Sequence, residues 1–310
     1  MDFEHGITAI DTGFYRPEFD ASHLIIENGR AAFIDVGTNF SIPFLLAELE
    51  AKGVGVEAVD YVIVTHVHLD HAGGAGEILR QLPNAQLAVH PRGAPHMINP
   101  ARLIASASSV YGAEEVRRTY GELVPVPAER VIEVRDETII NLAGRPLRCL
   151  DTPGHARHHF SLWDAASRSF FAGDTFGLSY RQFDTEKGAF ILPTTTPVQF
   201  DPVALKGSIA RMLLFNPEAM FLTHFSRVTD VERLGRDLFE QIRAMVAIAE
   251  SLNGVPERHE RIKEELTRFY LDRAVAHGCT LSREHMHELL MMDIELNAQG
   301  LAIWLDHSRK

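Results

Sequence analysis

Between residues 65 and 74 the chain reads Thr65-His66-Val67-His68-Leu69-Asp70-His71-Ala72-Gly73-Gly74, which places His66, His68, Asp70 and His71 within six residues. Imidazole and carboxylate groups bind divalent cations such as zinc, iron and manganese, so this spacing points to metal chemistry. Side chains two apart in extended backbone point the same way, which lets His66 and His68 hold one cation together. Asp70 and His71 fall on the turn beyond and can reach a second cation. Desolvating four such groups without a metal would be costly, so accidental histidines on a polar turn account poorly for the segment.

The motif directly follows Asp60 to Thr65 (DYVIVT), a continuous apolar run of strand length and of the kind buried on both faces. Loops that leave strand ends carry sites because a rigid sheet fixes their geometry. Three further expected strand ends carry a lone His or Asp. His155 ends Asp151-Thr152-Pro153-Gly154-His155, Asp174 sits in Ala172-Gly173-Asp174-Thr175, and His224 follows Phe221-Leu222-Thr223. Each alone is a weak signal, whereas together they supply what two adjacent ions would need.

The elements that must position these residues alternate strand and helix. Ser22 to Glu27 and Ala31 to Asp35 flank Asn28-Gly29, the preferred dipeptide of a tight hairpin. Ser41 can cap a helix with Pro43 in its first turn, which Gly53 is placed to end. A helix is expected from Gly74 to Leu82, a strand from Gln86 to His90 and a helical insert near 101–122. Strands follow at Val131 to Val134, Leu147 to Asp151, Phe160 to Asp164, Ser169 to Ala172 and Ala219 to Thr223. The loop from Leu192 to Pro197 precedes a helix from Pro202 to Phe215. From Val231 only helical periodicity remains, which predicts a mixed α/β domain over 1–230 and a helical extension over 231–310.

The 310 residues are 45% hydrophobic and 23% charged, with a formal net charge of -12, as in an ordinary globular protein. An acidic chain is a poor ligand for nucleic acid or anionic membranes, so the expected partner is a small-molecule substrate. Two cysteines make no disulfide framework, and neither a signal peptide nor a membrane span is read, which points to the cytoplasm.

The ordered set His66-x-His68-x-Asp70-His71, His155, Asp174 and His224 resembles the metallo-β-lactamase-fold superfamily over residues 1 to about 230. That resemblance implies an α/β fold, a four-layer αββα sandwich with the metals at one edge of its two sheets, here with a C-terminal helical extension. It implies two divalent metal ions, zinc first, with iron or manganese as alternatives. His66, His68 and His155 would bind one ion, Asp70, His71 and His224 the other, with Asp174 bridging. Asp35 and Thr65 match positions that support the metal loop from behind, and His159 is expected to face the site.

Departures narrow the class. The cysteine ligand of true β-lactamases is replaced here by Asp174 and His71, so lactam hydrolysis is not expected. Flavodiiron proteins place Glu where His68 stands and append a flavodoxin domain longer than an 80-residue tail. RNA-processing members carry a basic exosite, for which this chain offers no candidate. What remains resembles the glyoxalase II, lactonase and thioesterase branch, and the helical tail is similar in architecture to quorum-signal thioesterases. Two cations about 3.5 to 4 Å apart can bridge a water and lower its pKa toward neutrality, giving a hydroxide that attacks an ester, thioester or lactone. Asp70 would orient it or pass a proton to the leaving group. The alternatives are phosphodiester cleavage, single-iron persulfide oxidation and a metal-bound sensor without catalysis. Tyr180, Arg157 and Arg227 lie near expected ligands and could hold an anionic substrate group. The aromatic loop from Phe176 to Thr196 could line an acyl pocket or cover a sheet edge. The tail is expected to complete a core, with a roof over the site or a homodimer contact as the sharper readings.

Overall fold

The computed structural model of the chain describes residues 1–195 and 198–307, apart from the side chains of residues 110 and 111. Its internal contacts define two units. The first is Met1–Asp151, His158–Gly173 and Met220–Arg227; the second is Thr152–Arg157, Asp174–Ala219 and the chain from Val228 onward.

In the first unit, β1 (Asp2–Phe3), β2 (Ile7–Asp11), β3 (Ala21–Glu27), β4 (Arg30–Ile34), β5 (Val59–Ile63), β6 (Gln86–Val89) and β7 (Val131–Glu133) form a seven-stranded sheet in chain order. Strands β1 to β4 are antiparallel and β4 to β7 parallel. Asn28 and Gly29 take φ of 47° and 75°, the left-handed pair that a two-residue hairpin needs to join β3 to β4. A second sheet follows the order β13-β12-β11-β10-β9-β8. Its strands are β8 (Ile139–Leu142), β9 (Arg145–Asp151), β10 (Phe160–Asp164), β11 (Ser169–Gly173), β12 (Ala219–Leu222) and β13 (Ser226–Val228).

The helices of this unit are α1 (Ile42–Ala51), α2 (Leu69–Ala72), α3 (Ala75–Gln81), α4 (Ala94–Ile98), α5 (Ala101–Tyr111) and α6 (Ala113–Tyr120). Period-two alternation divides the central strands between two cores. Ala31, Phe33, Val62, Leu87 and Val89 pack with Leu45, Ile78 and Leu79 of α1 and α3. Ala32, Ile34, Ile63 and Ala88 turn to the other face and meet Leu147, Cys149, Phe160, Leu162 and Phe171 of the second sheet. Both faces of β5 are therefore buried, as its apolar run requires, and each large aliphatic chain contributes about 1.5–3 kcal/mol. Ahead of α1 the expected cap is displaced by one turn. The Ser41 hydroxyl accepts from the Thr38 amide (3.1 Å) instead of capping α1, and Thr38 caps the turn Asn39–Ser41.

The second unit holds α7 (Pro202–Leu213), α8 (Val231–Ser251), α9 (Arg258–His277) and α10 (Arg283–His307). Asp201 caps α7 by accepting from the amides of Val203 and Ala204, each at 3.0 Å. The units do not follow a single cut near residue 230. Residues 174–195 join the helices because Tyr180 donates to Asp293 (3.1 Å), Gln241 to the Ile191 carbonyl (2.7 Å) and the Thr195 amide to Asn297 (2.6 Å). Leu290, Ile294 and Leu301 of α10 are buried. Of the expected loop from Leu192 to Pro197, Thr196 and Pro197 lie outside the described residues. Among the described residues no helix is long and apolar enough to cross a membrane.

Candidate metal centre

In the first unit, β5 ends at Ile63 and the chain runs through Thr65-His66-Val67-His68 into the short α2, which carries Asp70 and His71. His66 Nε2 and His68 Nδ1 converge to 2.7 Å. Asp70, His71 and His224 form a second convergence, each offering a ligand atom within 4.8 Å of the others. Asp70 Oδ2 is 3.8 Å from His71 Nε2 and 3.5 Å from His224 Nε2. His66 and His71 are fully buried, while Asp70 is partly exposed.

One buried carboxylate orients this loop. Asp35, placed at the end of β4 with φ of 50°, accepts from the Thr65 amide through Oδ1 (2.8 Å). Its Oδ2 accepts from the hydroxyls of Thr65 and Thr223 and from His71 Nδ1, each at 2.8 Å. A proton on His71 Nδ1 leaves Nε2 bare toward Asp70 and His224. The Thr65 hydroxyl spends its single proton on Asp35, so toward His66 Nδ1 (3.2 Å) it can only accept, and His66 Nε2 is bare as well. Asp35 and Thr65 thus hold the loop from behind by hydrogen bonds.

His224 is set by contacts that the sequence did not announce. Its Nδ1 donates to the Phe19 carbonyl (2.9 Å) and its ring meets Phe19 edge-on at 5.3 Å. The adjacent Asp20 is fully buried and accepts from the Thr12 hydroxyl (2.8 Å). Burial pushes its carboxyl up to about 7, opposed by the charges of His224 and His71. His159 stacks on His66 with ring centres 4.9 Å apart, and a Cβ on Gly173 would lie 2.5 Å from its Nε2. His158 is also close: its Nδ1 accepts from the Val67 amide (3.4 Å), and burial, aided by neighbouring His68, lowers it to about 3.

The second unit contributes His155 and Asp174, both buried, with His155 Nε2 3.3 Å from Asp174 Oδ2. A tight turn sets His155: Gly154 has φ of 131°, and a Cβ there would lie 2.2 Å from the Leu205 amide. His155 Nδ1 meets the Thr194 hydroxyl at 2.7 Å. The donor set in both units is imidazole and carboxylate, with nitrogens bared by a partner on the opposite ring atom, which fits divalent zinc, iron or manganese.

The expected substrate groups fare differently. Tyr180 is 1% exposed and donates its hydroxyl to Asp293, which commits that hydroxyl to the helical unit and removes it as an anion-binding group. Arg157 is exposed, and its amide donates to Gln199 (2.8 Å). Arg227 is exposed on β13 with its guanidinium 6.0 Å from the Phe3 ring. Phe176, Phe183 and Phe190 of the aromatic loop are buried side chains. Cys149 lies in the core between the sheets, where burial pushes its thiol up to about 12, and Cys279 sits in the turn before α10.

Residues 16–224 match the family described as the metallo-beta-lactamase superfamily, a span that contains every candidate ligand. A metallo-beta-lactamase fold-containing protein from Sulfurisphaera tokodaii, ST1585, is 28% identical over 224 residues, covering 71% of this chain and 77% of that protein. Its crystal structure aligns with a TM-score of 0.63 at 26% identity, covering 78% of this chain and 86% of the other. TTHA1429 from Thermus thermophilus shares the fold across 98% of this chain and 94% of its own, with a TM-score of 0.69 at 19% identity. A hydroxyacylglutathione hydrolase from a Synechococcus species is 28% identical over 150 residues, 48% of this chain and 45% of that protein.

Proposed function

The chain belongs to the metallo-beta-lactamase superfamily, and on that premise we propose that it is a dinuclear metal-dependent hydrolase of an ester, thioester or lactone. The observation that carries the reading is the Asp70, His71 and His224 convergence beside the His66–His68 pair, a ligand set without cysteine. In this reading His66, His68 and His155 would hold one ion and Asp70, His71 and His224 the other, with Asp174 available to both. The ions, when bound, supply Lewis-acid polarisation of an acyl oxygen and a water of lowered pKa.

The chain's own groups do the rest. Asp35 and Thr65 keep protons on His71 Nδ1 and His66 Nδ1, so both imidazoles present Nε2. Asp70, the most exposed of the second ligand group, can bind through one oxygen and hold or release a proton at the other, toward the leaving group. Cys149 is not placed as a nucleophile, being fully buried with a raised thiol pKa. The inclusion of thioesters draws on the hydroxyacylglutathione hydrolase relative, and a small-molecule substrate fits the acidic chain.

The test is elemental analysis of protein purified without added metal, with His68→Ala beside it, followed by a panel of esters, thioesters, lactones and bis(p-nitrophenyl) phosphate. About two zinc or manganese ions per chain, diminished in the variant, with turnover of an acyl substrate, support the proposal. No bound metal in folded protein overturns it. One iron with oxygen consumption on a persulfide, or phosphodiester turnover above acyl turnover, also overturns it.

A further inference from the structure

We propose that helix α10 sets the geometry of His155, through Asn297 acting on Thr194; the proposal rests on the reading of His155 as a metal ligand. Every link lies in the second unit. Asn297, 2% exposed in the interior of α10, uses each polar atom of its side chain. Oδ1 accepts from the Thr195 amide at 2.6 Å, while Nδ2 donates to the Pro193 carbonyl at 3.2 Å and to the Tyr270 hydroxyl at 3.0 Å. Its backbone carbonyl accepts from the Thr195 hydroxyl at 3.1 Å. These bonds grip the backbone on both sides of residue 194 and so fix where the Thr194 side chain points. Tyr270 on α9 donates in turn to Met245 Sδ on α8 at 3.1 Å, which ties the clamp to three helices.

Thr194 then decides the tautomer of His155. Its hydroxyl has one proton, and it donates to the Asp174 carbonyl at 3.2 Å. Toward His155 Nδ1, at 2.7 Å, the same oxygen can therefore only accept. The proton sits on Nδ1, and Nε2 is bare on the side of Asp174 Oδ2. Asparagine is a weak helix former, and its use inside a 25-residue helix is offset by the three bonds of its side chain. On this account the C-terminal helices shape the metal centre directly as well as completing a core.

The experiment compares Thr194→Val, Thr194→Ser, Asn297→Ala and His155→Ala in the full chain. Circular dichroism checks folding, chelator competition gives zinc affinity, and the visible spectrum of the cobalt-substituted protein reports ligand geometry. Partners that orient a metal-bound histidine are worth about 10–100-fold in affinity. Thr194→Val and Asn297→Ala should each weaken one of the two zinc sites by about that factor and alter the cobalt spectrum, with Thr194→Ser close to the parent. Because the two act in series, the double variant should bind no more weakly than Thr194→Val alone. A folded Asn297→Ala protein with parental affinity and spectrum overturns the proposal, as does additivity in the double variant. If Asn297→Ala does not fold, Asn297→Gln, which shifts the amide by one methylene, is read in the same way. His155→Ala separates the two levels. Parental metal binding there removes His155 from the ligand set and defeats the parent reading. Lost binding there, with no effect of Thr194→Val, defeats only the relay.

Discussion

Replacing Asp35 by Asn alters hydrogen-bond polarity at one oxygen while leaving volume almost unchanged. Oδ1 faces the Thr65 amide at 2.8 Å and must stay an oxygen, because a backbone N–H can only donate. The new NH2 therefore takes the place of Oδ2, facing His71 Nδ1 and the hydroxyls of Thr65 and Thr223, each at 2.8 Å. The hydroxyls can turn to accept. His71 Nδ1 can accept only if its proton moves to Nε2, the atom assigned to the metal. The turned Thr65 hydroxyl would likewise offer its proton to His66 Nδ1, 3.2 Å away, and displace the His66 proton to Nε2. Both proposed sites lose a correctly protonated ligand, so Asp35→Asn should weaken zinc binding by about 10–100-fold, or roughly 1.4–2.7 kcal/mol. Loss of charge-assisted hydrogen bonds should also lower metal-free stability by about 1.5–3 kcal/mol. Chelator competition measures the first quantity and urea denaturation of chelator-treated protein the second. A folded Asp35→Asn protein that binds zinc like the parent would refute the argument that Asp35 sets these tautomers, whatever its stability.

His23, buried against Phe171 and Phe221 with no hydrogen-bond partner at Nε2 among the described residues, is lowered by burial from 6.5 to about 4. Between those values the unfolded chain binds a proton that the native protein does not, so stability is lost as pH falls through that window, by roughly 3 kcal/mol at most. Urea midpoints of metal-free protein at pH 4.5 and 7 should differ less in His23→Phe than in the parent; equal differences would remove His23 as the cause. Gly173→Ala puts a Cβ at φ of 50°, 2.5 Å from His159 Nε2 and 2.7 Å from Thr65 Oγ1. It should cost about 1–3 kcal/mol in thermal denaturation and lower metal content, and unchanged values of both would contradict the packing. Arg145, 4% exposed, pairs with fully buried Asp164 and donates to the His5 carbonyl at 2.6 Å. Asp164 also accepts from the amides of Ala166 and Ser167 at 3.2 and 3.1 Å. Arg145→Met leaves that carboxylate without its cation and should cost about 3–5 kcal/mol, a loss below 1 kcal/mol arguing that those amides suffice to hold it.

Much of the architecture was legible because it is written locally. Asn28-Gly29 specifies a hairpin by its φ preferences alone, and an uninterrupted apolar run such as DYVIVT has to be buried on both faces. Strands of two or three residues such as β1 and β13, and the half-exposed β8, carry too little pattern to stand out. The cap before α1 is displaced for a related reason: Thr38 and Ser41 are both capping residues, and only the turn between them selects which one caps.

By itself, the sequence determined the types of the candidate ligands and their order along the chain, because side-chain chemistry and short spacing are local properties. The tertiary structure alone decided which nitrogen of His71 and of His224 is bare. That depends on partners 36 and 205 residues distant, the Asp35 carboxylate on His71 and the Phe19 carbonyl on His224. It also withdrew Tyr180 from the substrate groups, since no local pattern places Asp293 opposite its hydroxyl. Thr194 and Asn297 went unread for the same reason: a hydroxyl and an amide become a relay only when folding sets them against His155 and the backbone beside it.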